Sequence, residues 1–346
     1  MKRIGILGHF AFGMQKSDGQ TIKTRIVGEA LRHTYGDASV DFIDTVGGWR
    51  FLLRLPIVLL RILFKYHNII MLPAHNGVRV IVPLIVIANV FFHRRLHYIV
   101  IGGWLPSFAN KSSLIRWSLK KLYAIYPETQ SMKKALESLQ IRNAIVIPNT
   151  KPLDIVSEDE IEFITTPPFK LCTFSRVTKE KGIEDAIKAV SECNRIKGET
   201  IYTLDIYGQI DHGQEDWFHQ LMKQVPDYIK YLGIIPYNKS TDVLKKYFAL
   251  LFPTYYEGEC FAGTLIDAMA SGLPTIASDW HENPNIVVHQ ETGLIFPVHS
   301  VDELTRILLE SAKAPDQINK MRRNCIKMAQ KYKPEEIIKI LTAQIL

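Results

Sequence analysis

The chain has 346 residues, of which 47% are hydrophobic and 22% charged, and its formal net charge is +7. The length predicts about two domains, and the composition excludes an intrinsically disordered chain. The four cysteines lie far apart without a Cys-x-x-Cys pair. This pattern excludes a disulfide framework or a zinc site and is typical of reduced thiols in a cytosolic protein.

The positive charge is concentrated in the first half of the chain. Residues 1–150 contain 20 Lys and Arg against 7 Asp and Glu, and no acidic residue lies between Asp44 and Glu128. Such asymmetry indicates a polyanionic partner, which on charge alone is nucleic acid, anionic lipid or a phosphorylated substrate. Because no nucleic-acid-binding motif accompanies the charge, we expect no nucleic-acid partner.

Short apolar runs alternate with amphipathic segments along the chain. Runs that end on Gly, Pro, Asn or Asp predict strands. They lie at residues 3–10, 38–44, 68–74, 96–102, 124–128, 143–149, 170–176, 202–208, 229–235, 249–254, 274–279 and 293–298. Strands that alternate with helices predict an α/β protein whose parallel sheets are built from βαβ units.

The alternating pattern restarts once. Residues 147–169 are rich in acids and proline, and we interpret them as an inter-domain connection. We therefore predict one domain over residues 1–150, a second over 151–332, and a C-terminal helix over 333–346 that packs back on the first. Two such domains are expected to face each other across a cleft, with ligands beyond the carboxyl ends of the strands.

No segment is predicted to enter or cross a bilayer as a signal peptide or a transmembrane helix. The N-terminal sequence MKRIGILGHFAFG is typical of a first strand and a glycine-rich turn. The longest uncharged apolar run, Val80–Phe92, has 13 residues with Pro83 and Asn89 inside. A bilayer requires roughly 18–20 apolar residues in a row.

The first motif with chemistry is CTFSRVTKEKG, in which Arg176 and Lys181 follow a predicted strand and precede a helix. Two cations beside a helix N-terminus favour a diphosphate site, because arginine binds phosphate oxygens in a fork and the helix end adds partial positive charge. The alternative is a solvated basic loop.

The second motif is EGECFAGTLIDAMASGLP, which starts at Glu257. Ala262 and Gly263 leave backbone N–H groups accessible to a phosphate or sugar oxygen at a predicted helix start. Asp267, expected in the first helical turn, is suited to a ribose diol, and Glu259 to a sugar hydroxyl. The alternative, acids that complement the helix dipole for about 0.3–1 kcal/mol, explains Asp267 but not the Glu-x-Glu before the helix.

Together these motifs resemble the retaining glycosyltransferases of family 4, which have the GT-B fold and build bacterial capsule, exopolysaccharide and lipopolysaccharide. The resemblance covers essentially the whole chain and includes the segments YLGIIPY, IGGWLP and AIYPETQSMKKAL. It implies two Rossmann-like parallel-sheet domains and retaining transfer of a sugar from a nucleotide diphosphate, with UDP favoured, to a lipid-linked or oligosaccharide acceptor. The alternatives are a nucleotide-sugar epimerase of the same fold and a non-catalytic partner of a glycosyltransferase.

The resemblance also implies roles for individual residues. Arg176 and Lys181 would neutralise the donor diphosphate, Glu259 would bind the donor sugar, and these three would be catalytic. Asp267 would hold the ribose, and the turn containing Ile235 would border the base. The implied donor-binding residues are Gly19, Gln20, Arg176, Lys181, Ile235, Glu259, Cys260, Phe261, Ala262, Gly263, Thr264 and Asp267.

Three departures from the family pattern concern the donor and acceptor sides. Asp267 stands where the family usually has Glu, and Cys260 where glycine is commoner. The strand-end histidine of many relatives is replaced by Gly102-Gly103-Trp104, so His75 and His9 are the nearby histidine candidates. The alternative is that each is structural, as a lone strand-end histidine more often is. His75, Gly103 and Trp104 are the acceptor-side candidates. Because no Asp-x-Asp motif or ligand cluster occurs, we expect no metal and no other cofactor.

Two segments combine apolar residues, tryptophan and cations, namely Trp49–Lys65 and residues 112–123. This combination is typical of membrane interfaces, where each Lys or Arg near an anionic leaflet contributes about 1 kcal/mol. The alternative is a pair of buried helices with a solvated basic edge. We expect a cytoplasmic protein, peripheral at the inner face of the cytoplasmic membrane.

Overall fold

The computed structural model describes residues 3–13 and 19–345, so Ser17 and Asp18, which precede the implied donor contacts Gly19 and Gln20, lie outside the described residues. The chain divides into two compact units. Unit 1 comprises Met1–Pro152 together with Lys333–Leu346, and unit 2 comprises Leu153–Tyr332.

Unit 1 contains a five-stranded parallel sheet with the order β2-β1-β3-β4-β5. Its strands are β1 (Ile4–Gly8), β2 (Val40–Asp44), β3 (Asn68–Leu72), β4 (Arg95–Ile99) and β5 (Ala124–Tyr126). The connecting helices are α1 (Gly19–Tyr35), α2 (Trp49–Lys65), α3 (His75–Asn89), α4 (Leu105–Lys111), α5 (Ser113–Lys120) and α6 (Gln130–Ser138). The interior strands β1 and β3 are wholly buried and, apart from Asn68, contain only apolar residues and glycine, as expected for a parallel sheet covered on both faces.

Unit 2 contains a six-stranded parallel sheet with the order β11-β10-β9-β6-β7-β8. Its strands are β6 (Phe169–Phe174), β7 (Tyr202–Tyr207), β8 (Ile229–Gly233), β9 (Ala249–Phe252), β10 (Thr275–Ser278) and β11 (Gly293–Phe296). Its helices are α7 (Ile183–Lys197), α8 (Glu215–Met222), α9 (Ser240–Leu244), α10 (Gly263–Ala270), α11 (Asn283–Ile286), α12 (Val301–Lys313) and α13 (Pro315–Ala329).

The last helix, α14 (Pro334–Ile345), belongs to unit 1 although it follows unit 2 in the chain. It packs against α1, and its residues Ile337, Ile338 and Leu341 lie in the same apolar core as β1. This burial ties the end of the chain to the first sheet.

The predicted α/β class with two parallel sheets is confirmed, but one predicted strand is wrong. Residues 143–149 form only an isolated bridge, between Ala144 and Ile125 of β5. The segment does lie alongside β5, since Ile145 N donates to Ile125 O over 2.8 Å and Ile147 N donates to Pro127 O over 2.9 Å. Pro127 has no N–H, so a regular ladder cannot continue past the short β5.

The helices α2 and α3 expose apolar residues at intervals of three and four positions. We call the set of eight side chains the outer apolar surface: Leu53, Ile57, Leu60 and Phe64 of α2, Val80, Leu84 and Ile87 of α3, and Phe91 just after α3. Residues three and four apart share one helix face, so each helix presents a row to solvent. No helix within residues 3–13 and 19–345 is long and apolar enough to cross a bilayer.

Candidate active site

The order of the strands in unit 2 reverses between β6 and β9, which are neighbours in the sheet. From β6 the chain proceeds outward through β7 to β8, and from β9 it proceeds in the other direction through β10 to β11. The loops at residues 175–182 and 253–262 therefore follow the two strands that flank this reversal. Open α/β sheets bind ligands in the crevice at such a point. Both motifs found in the sequence lie there.

The two loops are held together by a close backbone approach at Gly182. This residue has a φ of 69°, and a Cβ atom added to it would lie 2.1 Å from the carbonyl oxygen of Pro253. Only glycine permits both the left-handed conformation and this contact. A hydrogen bond of 2.8 Å from Tyr255 N to Glu180 O joins the loops a second time. The close approach at Gly182 and this hydrogen bond therefore place Lys181 beside the loop that follows β9.

Lys181 and Glu259 form a buried ion pair across these loops. The Nζ atom of Lys181 donates a hydrogen bond to Oε2 of Glu259, and each side chain is 9% exposed. Thr254 Oγ1 donates to the same oxygen over 3.0 Å. In the described part of the chain, the Oε1 atom of Glu259 has no hydrogen-bond partner. The carboxylate is thus fixed through one oxygen, which leaves the other available to accept a hydrogen bond.

Tyr256 contacts both cations of the first motif, and the sequence analysis missed it. The centre of its ring lies 5.0 Å from Lys181 Nζ and 5.5 Å from Arg176 Cζ, within the range of cation–π attraction. Trp280 Nε1 donates to the Tyr256 carbonyl over 2.9 Å. A Cβ atom on Gly258 would approach the ring to 2.6 Å, so a larger residue there would require the Tyr256 ring to shift. The sequence signal that could have identified Tyr256 is the aromatic pair Tyr255-Tyr256, directly after the predicted strand at residues 249–254.

Arg176 is more exposed than Lys181 and has an acidic partner that the sequence analysis also missed. Its side chain is 50% exposed, and its Nη1 atom lies 2.9 Å from Oδ2 of Asp211. Asp211 follows β7, the neighbour of β6 in the sheet, and its backbone N donates to Val177 O over 3.1 Å. Because Asp211 lies in the loop after the adjacent strand, the strand order of the sheet determines this pairing.

The N-terminus of α10 lies at the carboxyl end of β6. Thr264 Oγ1 donates to the carbonyl of Phe174 over 2.7 Å, which fixes the first turn of α10 to the last residue of that strand. A Cβ atom added to Gly263 would meet no atom within 4 Å. The helix therefore begins at an open space, and its N-terminus favours negative charge there.

Asp267 lies in the second turn of α10, which corrects the expected position in the first turn because the helix begins at Gly263. The residue is 4% exposed, and its carboxylate accepts a hydrogen bond of 2.8 Å from Ser240 Oγ. Ile235, predicted to border the base, packs against the apolar cluster that contains Leu244 and Ala268. Both predicted nucleoside contacts therefore involve α9, Asp267 through Ser240 and Ile235 through the cluster that contains Leu244.

The side chains of Cys260 and Phe261 point into the protein. Both residues are buried, and the Phe261 ring packs edge-on against Tyr332 at 5.1 Å between centroids. Ala262 is half-buried and precedes the helix. Any ligand contact made at positions 260 and 261 would therefore use the backbone. The individual ligand roles of the predicted site residues stay predictions.

Unit 1 has a comparable reversal of strand order between β1 and β3. A groove of about 460 Å³ lies at the carboxyl ends of β1, β2 and β3. His9, Gln20 and Thr45 line its polar part, and Phe51 and Ile81 belong to its apolar wall. The side-chain amide of Gln20 donates to Leu72 O over 3.4 Å. Gly19, the other predicted donor contact in unit 1, is the first residue of α1.

The acceptor-side candidates His75, Gly103 and Trp104 lie close together after β3 and β4. The rings of His75 and Trp104 are 4.8 Å apart and nearly perpendicular, and Phe108 lies 4.7 Å from His75. Trp104 Nε1 donates to Ile101 O over 2.8 Å, and Gly102, with a φ of 83°, makes the turn possible. Of the two histidines considered, His9 lines the groove described above, whereas His75 packs into this aromatic cluster.

Among the described residues, no group of three or more His, Cys, Asp or Glu side chains is arranged to hold a metal ion. At the reversal in unit 2, Arg176 pairs with Asp211 and Lys181 pairs with Glu259.

Residues 154–332, which coincide closely with unit 2, match the family model of glycosyl transferases group 1. The match covers just over half of the chain. The chain belongs to this family. The matched segment contains the two loops at the strand reversal and all of α10.

Curated relatives share part of this segment. A stretch of 136 residues is 32% identical to the GtfA subunit of the UDP-N-acetylglucosamine–peptide N-acetylglucosaminyltransferase of Streptococcus pneumoniae serotype 4, and it covers 38% of this chain and 25% of the relative. A stretch of 146 residues is 27% identical to the amylovoran biosynthesis glycosyltransferase AmsK of Erwinia amylovora, with coverage of 41% and 35%. The matched stretches thus span about a quarter to a third of these relatives.

The fold is similar to solved structures over almost the whole chain. The crystal structure of Anabaena HepE in complex with UDP superposes with a TM-score of 0.76 and covers 99% of each chain at 16% identity. At this identity the similarity establishes the fold alone, and it does so for both units.

Proposed function

We propose that this group 1 glycosyltransferase binds a UDP-sugar at the strand reversal of unit 2 and transfers its sugar, with retention of configuration, to a lipid-linked saccharide. The supporting observation is the buried Lys181–Glu259 pair beside the open start of α10. In this position a cation, an acceptor oxygen and a helix N-terminus converge. The UDP-bound form of the HepE structure of the same fold supports the choice of nucleotide.

In the proposed donor complex, Arg176 and Lys181 offset the charge of the diphosphate, assisted by the N-terminus of α10. Glu259 accepts a hydrogen bond from a hydroxyl group of the donor sugar through Oε1, the oxygen that neither Lys181 nor Thr254 binds. Phosphate binding would draw Lys181 and Arg176 partly away from their acidic partners. We propose that these cations take the place of a divalent metal as the leaving group departs.

The remaining predicted contacts complete the proposal. Asp267 and Ile235 are assigned to the ribose and the base, and the backbone of residues 260–264 to the sugar and phosphates. Gly19 and Gln20 are assigned to the diphosphate. In a front-face reaction, the leaving phosphate oxygen takes the acceptor proton while the new glycosidic bond forms and the bond to phosphate breaks. The protein then needs no covalent nucleophile.

The acceptor side is assigned to unit 1, with the acceptor saccharide beside His75, Gly103 and Trp104. We propose that the outer apolar surface lies against an anionic membrane and presents the enzyme to an acceptor on a lipid diphosphate. Arg54 and Arg61 of α2 are exposed, and neither forms an ion pair with any residue in the described ranges. Cations beside an exposed apolar row are typical of helices in an anionic lipid interface. Surface-polysaccharide synthesis would use such an acceptor.

The donor proposal is tested by thermal unfolding in the presence of UDP, GDP or ADP. A nucleotide at about a hundred times its dissociation constant stabilises the folded state by roughly 2.7 kcal/mol. UDP is expected to raise the Tm of the wild type and to raise that of Arg176→Ala much less. Arg195→Ala is the matched control, because Arg195 is likewise exposed and paired with an acid, Glu192, on α7.

The absence of a shift with every nucleotide would contradict the donor site. If a UDP-sugar were isomerised without a second substrate, the epimerase alternative would replace the transferase. Release of UDP that depends on an added saccharide acceptor, with an α-linked product from an α-linked donor, is the outcome expected for a retaining transferase.

The membrane proposal is tested by co-sedimentation with vesicles of phosphatidylglycerol and phosphatidylcholine. The wild type is expected to bind the anionic vesicles and to bind pure phosphatidylcholine weakly. Leu53→Ser/Phe64→Ser and Arg54→Gln/Arg61→Gln are expected to reduce binding. Their controls in unit 2 are Ile196→Ser, an exposed isoleucine of α7, and Lys320→Gln/Lys331→Gln. Equal binding to both vesicle types would reject the electrostatic contribution.

A further inference from the structure

We propose that the groove at the carboxyl ends of β1, β2 and β3 binds the hydrocarbon chain of a lipid phosphate. This inference rests on the proposed function only in treating the bound lipid as part of the acceptor. It assigns a binding site for an amphiphile to residues of unit 1 alone.

The groove has a polar and an apolar part, as an amphiphile requires. Its polar lining residues are His9, Thr45, Asn76 and Gln20, the last of which is also assigned to the donor diphosphate. The apolar wall is formed by Phe51, Leu52, Pro73, Val80 and Ile81. Gly47 and Gly48 line the groove between these parts, and a Cβ atom on Gly48 would meet no atom within 4 Å. The absence of side chains at these two positions keeps the groove open where α2 begins.

The groove is continuous with the outer apolar surface. Leu52 and Val80 line it and are also 49% and 37% exposed. Val80 is itself the first member of the row on α3, and Leu52 precedes Leu53, the first member of the row on α2. A hydrocarbon chain that leaves the groove past these two residues therefore meets apolar side chains, not water.

The charge around the groove suits a phosphate head group. The groove lining contains no Asp or Glu, and the sequence has none between Asp44 and Glu128. Arg79 is exposed next to Val80 on α3, with its Cζ atom 5.0 Å from the Phe108 ring. Asp44 borders the groove just before Thr45, but its carboxylate accepts hydrogen bonds from the backbone N–H groups of Phe10, Phe12 and Val46. A cation beside an apolar opening favours an anionic amphiphile over a cationic one.

The size of the groove sets the length of chain to test. Its volume is about 460 Å³, and a methylene group is about as large as a water molecule, which occupies ~30 Å³. The groove therefore holds on the order of ten methylene groups. Dodecyl phosphate fills it, whereas butyl phosphate occupies only part of the apolar wall.

The experiment compares dodecyl phosphate and butyl phosphate by isothermal titration calorimetry, below the micelle concentration. The wild type is expected to bind dodecyl phosphate at least tenfold more tightly. Leu52→Gln/Val80→Gln should remove most of this preference for the longer chain. Leu60→Gln/Ile87→Gln is the matched control, since it places the same two amides on the outer apolar surface away from the groove, and it should retain the preference.

Two results would overturn the proposal. One is equal affinity of the wild type for the two phosphates, and the other is an equal loss of preference in both variant pairs, which would assign binding to the outer surface. A dodecyl phosphate with a terminal diazirine gives a second measurement that needs no variant. Labelling is expected on peptides that contain Phe51 or Ile81, and labelling confined to unit 2 would also refute the groove.

UDP binding to the same protein separates this inference from the donor proposal. Binding of UDP without chain-length dependence of the alkyl phosphates refutes the groove and leaves the donor site intact. Chain-length-dependent binding of the alkyl phosphates without binding of UDP refutes the donor site and leaves the groove intact.

Discussion

Lys181 and Glu259 are 78 positions apart in the sequence, yet their side chains form a buried ion pair at the point where the strand order of unit 2 reverses. The pair joins the loop after β6 to the loop after β9. In the absence of a donor, each charge is neutralised by the other, with Thr254 as a further donor to the carboxylate. The same two groups are the ones that we propose a nucleotide sugar engages.

The ion pair predicts different effects on stability and on ligand binding. Lys181→Met should lower the free energy of unfolding by about 3–5 kcal/mol, because it leaves the Glu259 carboxylate buried without a cation. The double variant Lys181→Met/Glu259→Leu should regain most of this stability, since no unpaired charge remains. UDP affinity should stay low in both variants. Urea unfolding and calorimetric titration with UDP measure the two quantities. Recovery of UDP affinity in the double variant would show that Lys181 does not bind the nucleotide.

The Arg176–Asp211 pair is exposed, so its removal should affect catalysis far more than stability. Arg176→Ala should reduce kcat by about 10²–10³, the usual effect of removing one electrostatic stabiliser. Asp211→Asn should change the free energy of unfolding by less than about 1 kcal/mol, as for other exposed pairs. It should not weaken UDP binding, because it releases Arg176 from a competing carboxylate. Near-normal turnover of Arg176→Ala would refute its catalytic role.

The close approach at Gly182 can be separated from the cost of its left-handed backbone. Gly182 and Gly198 flank α7 with φ angles of 69° and 70°, but a Cβ atom on Gly198 would meet no atom within 4 Å. Gly198→Ala should therefore lower the free energy of unfolding by about 1–2 kcal/mol, which is the cost of the left-handed backbone alone. In urea unfolding, Gly182→Ala should lower the free energy of unfolding by more than this. It should also weaken UDP binding several-fold, because it displaces the loop that carries Lys181. Equal effects of the two substitutions on UDP affinity would contradict this account.

His97 predicts a pH dependence of the stability of unit 1. The ring is buried and lies 2.8 Å from Tyr126 Oη through Nδ1, and burial, with a smaller contribution from Arg95, lowers its pKa to about 4. The folded-state pKa thus lies below the value of about 6.5 in the unfolded chain. As the pH falls from about 6.5 to 4, only the unfolded chain takes up this proton, so up to roughly 3 kcal/mol of stability is lost.

His97→Gln keeps a polar side chain at this position and should lack this part of the acid sensitivity. The measurement is the difference in urea unfolding free energy between wild type and variant at pH 7.5 and pH 5. His33→Gln, at an exposed histidine of α1, is the control. A difference between wild type and His97→Gln that does not change with pH would rule out His97 as the titrating group.

The sequence alone predicted most of the secondary structure and the loops that carry the candidate site. Eleven of the twelve predicted strands are present, because continuous apolar runs ended by Gly, Pro, Asn or Asp are local signals that tertiary packing does not override here. Residues 143–149 were the exception, since whether they extend the sheet depends on the length of β5 and on Pro127. Arg176, Lys181 and Glu259 could be named in advance because their loops follow recognisable strands.

The outward row of α2 was only half predictable. The sequence indicated a choice between buried helices and a membrane-facing surface, since apolar residues occur on every side of α2. Which side chains are buried depends on how the helix packs on the sheet. The fold leaves Leu53, Ile57, Leu60 and Phe64 in solvent and buries Leu55, Leu59 and Leu63.

The sequence by itself therefore determined the α/β class, the strand-end loops and the residue types that suit a diphosphate and a sugar. Only the tertiary structure decided that Lys181 pairs with Glu259, that Asp211 holds Arg176, and that Tyr256 contacts both cations. The physical reason is that side chains meet across loops only when the strands before them are neighbours. The adjacency of β6 to β7 and β9 is set by the packing of the whole sheet, and no local pattern encodes it.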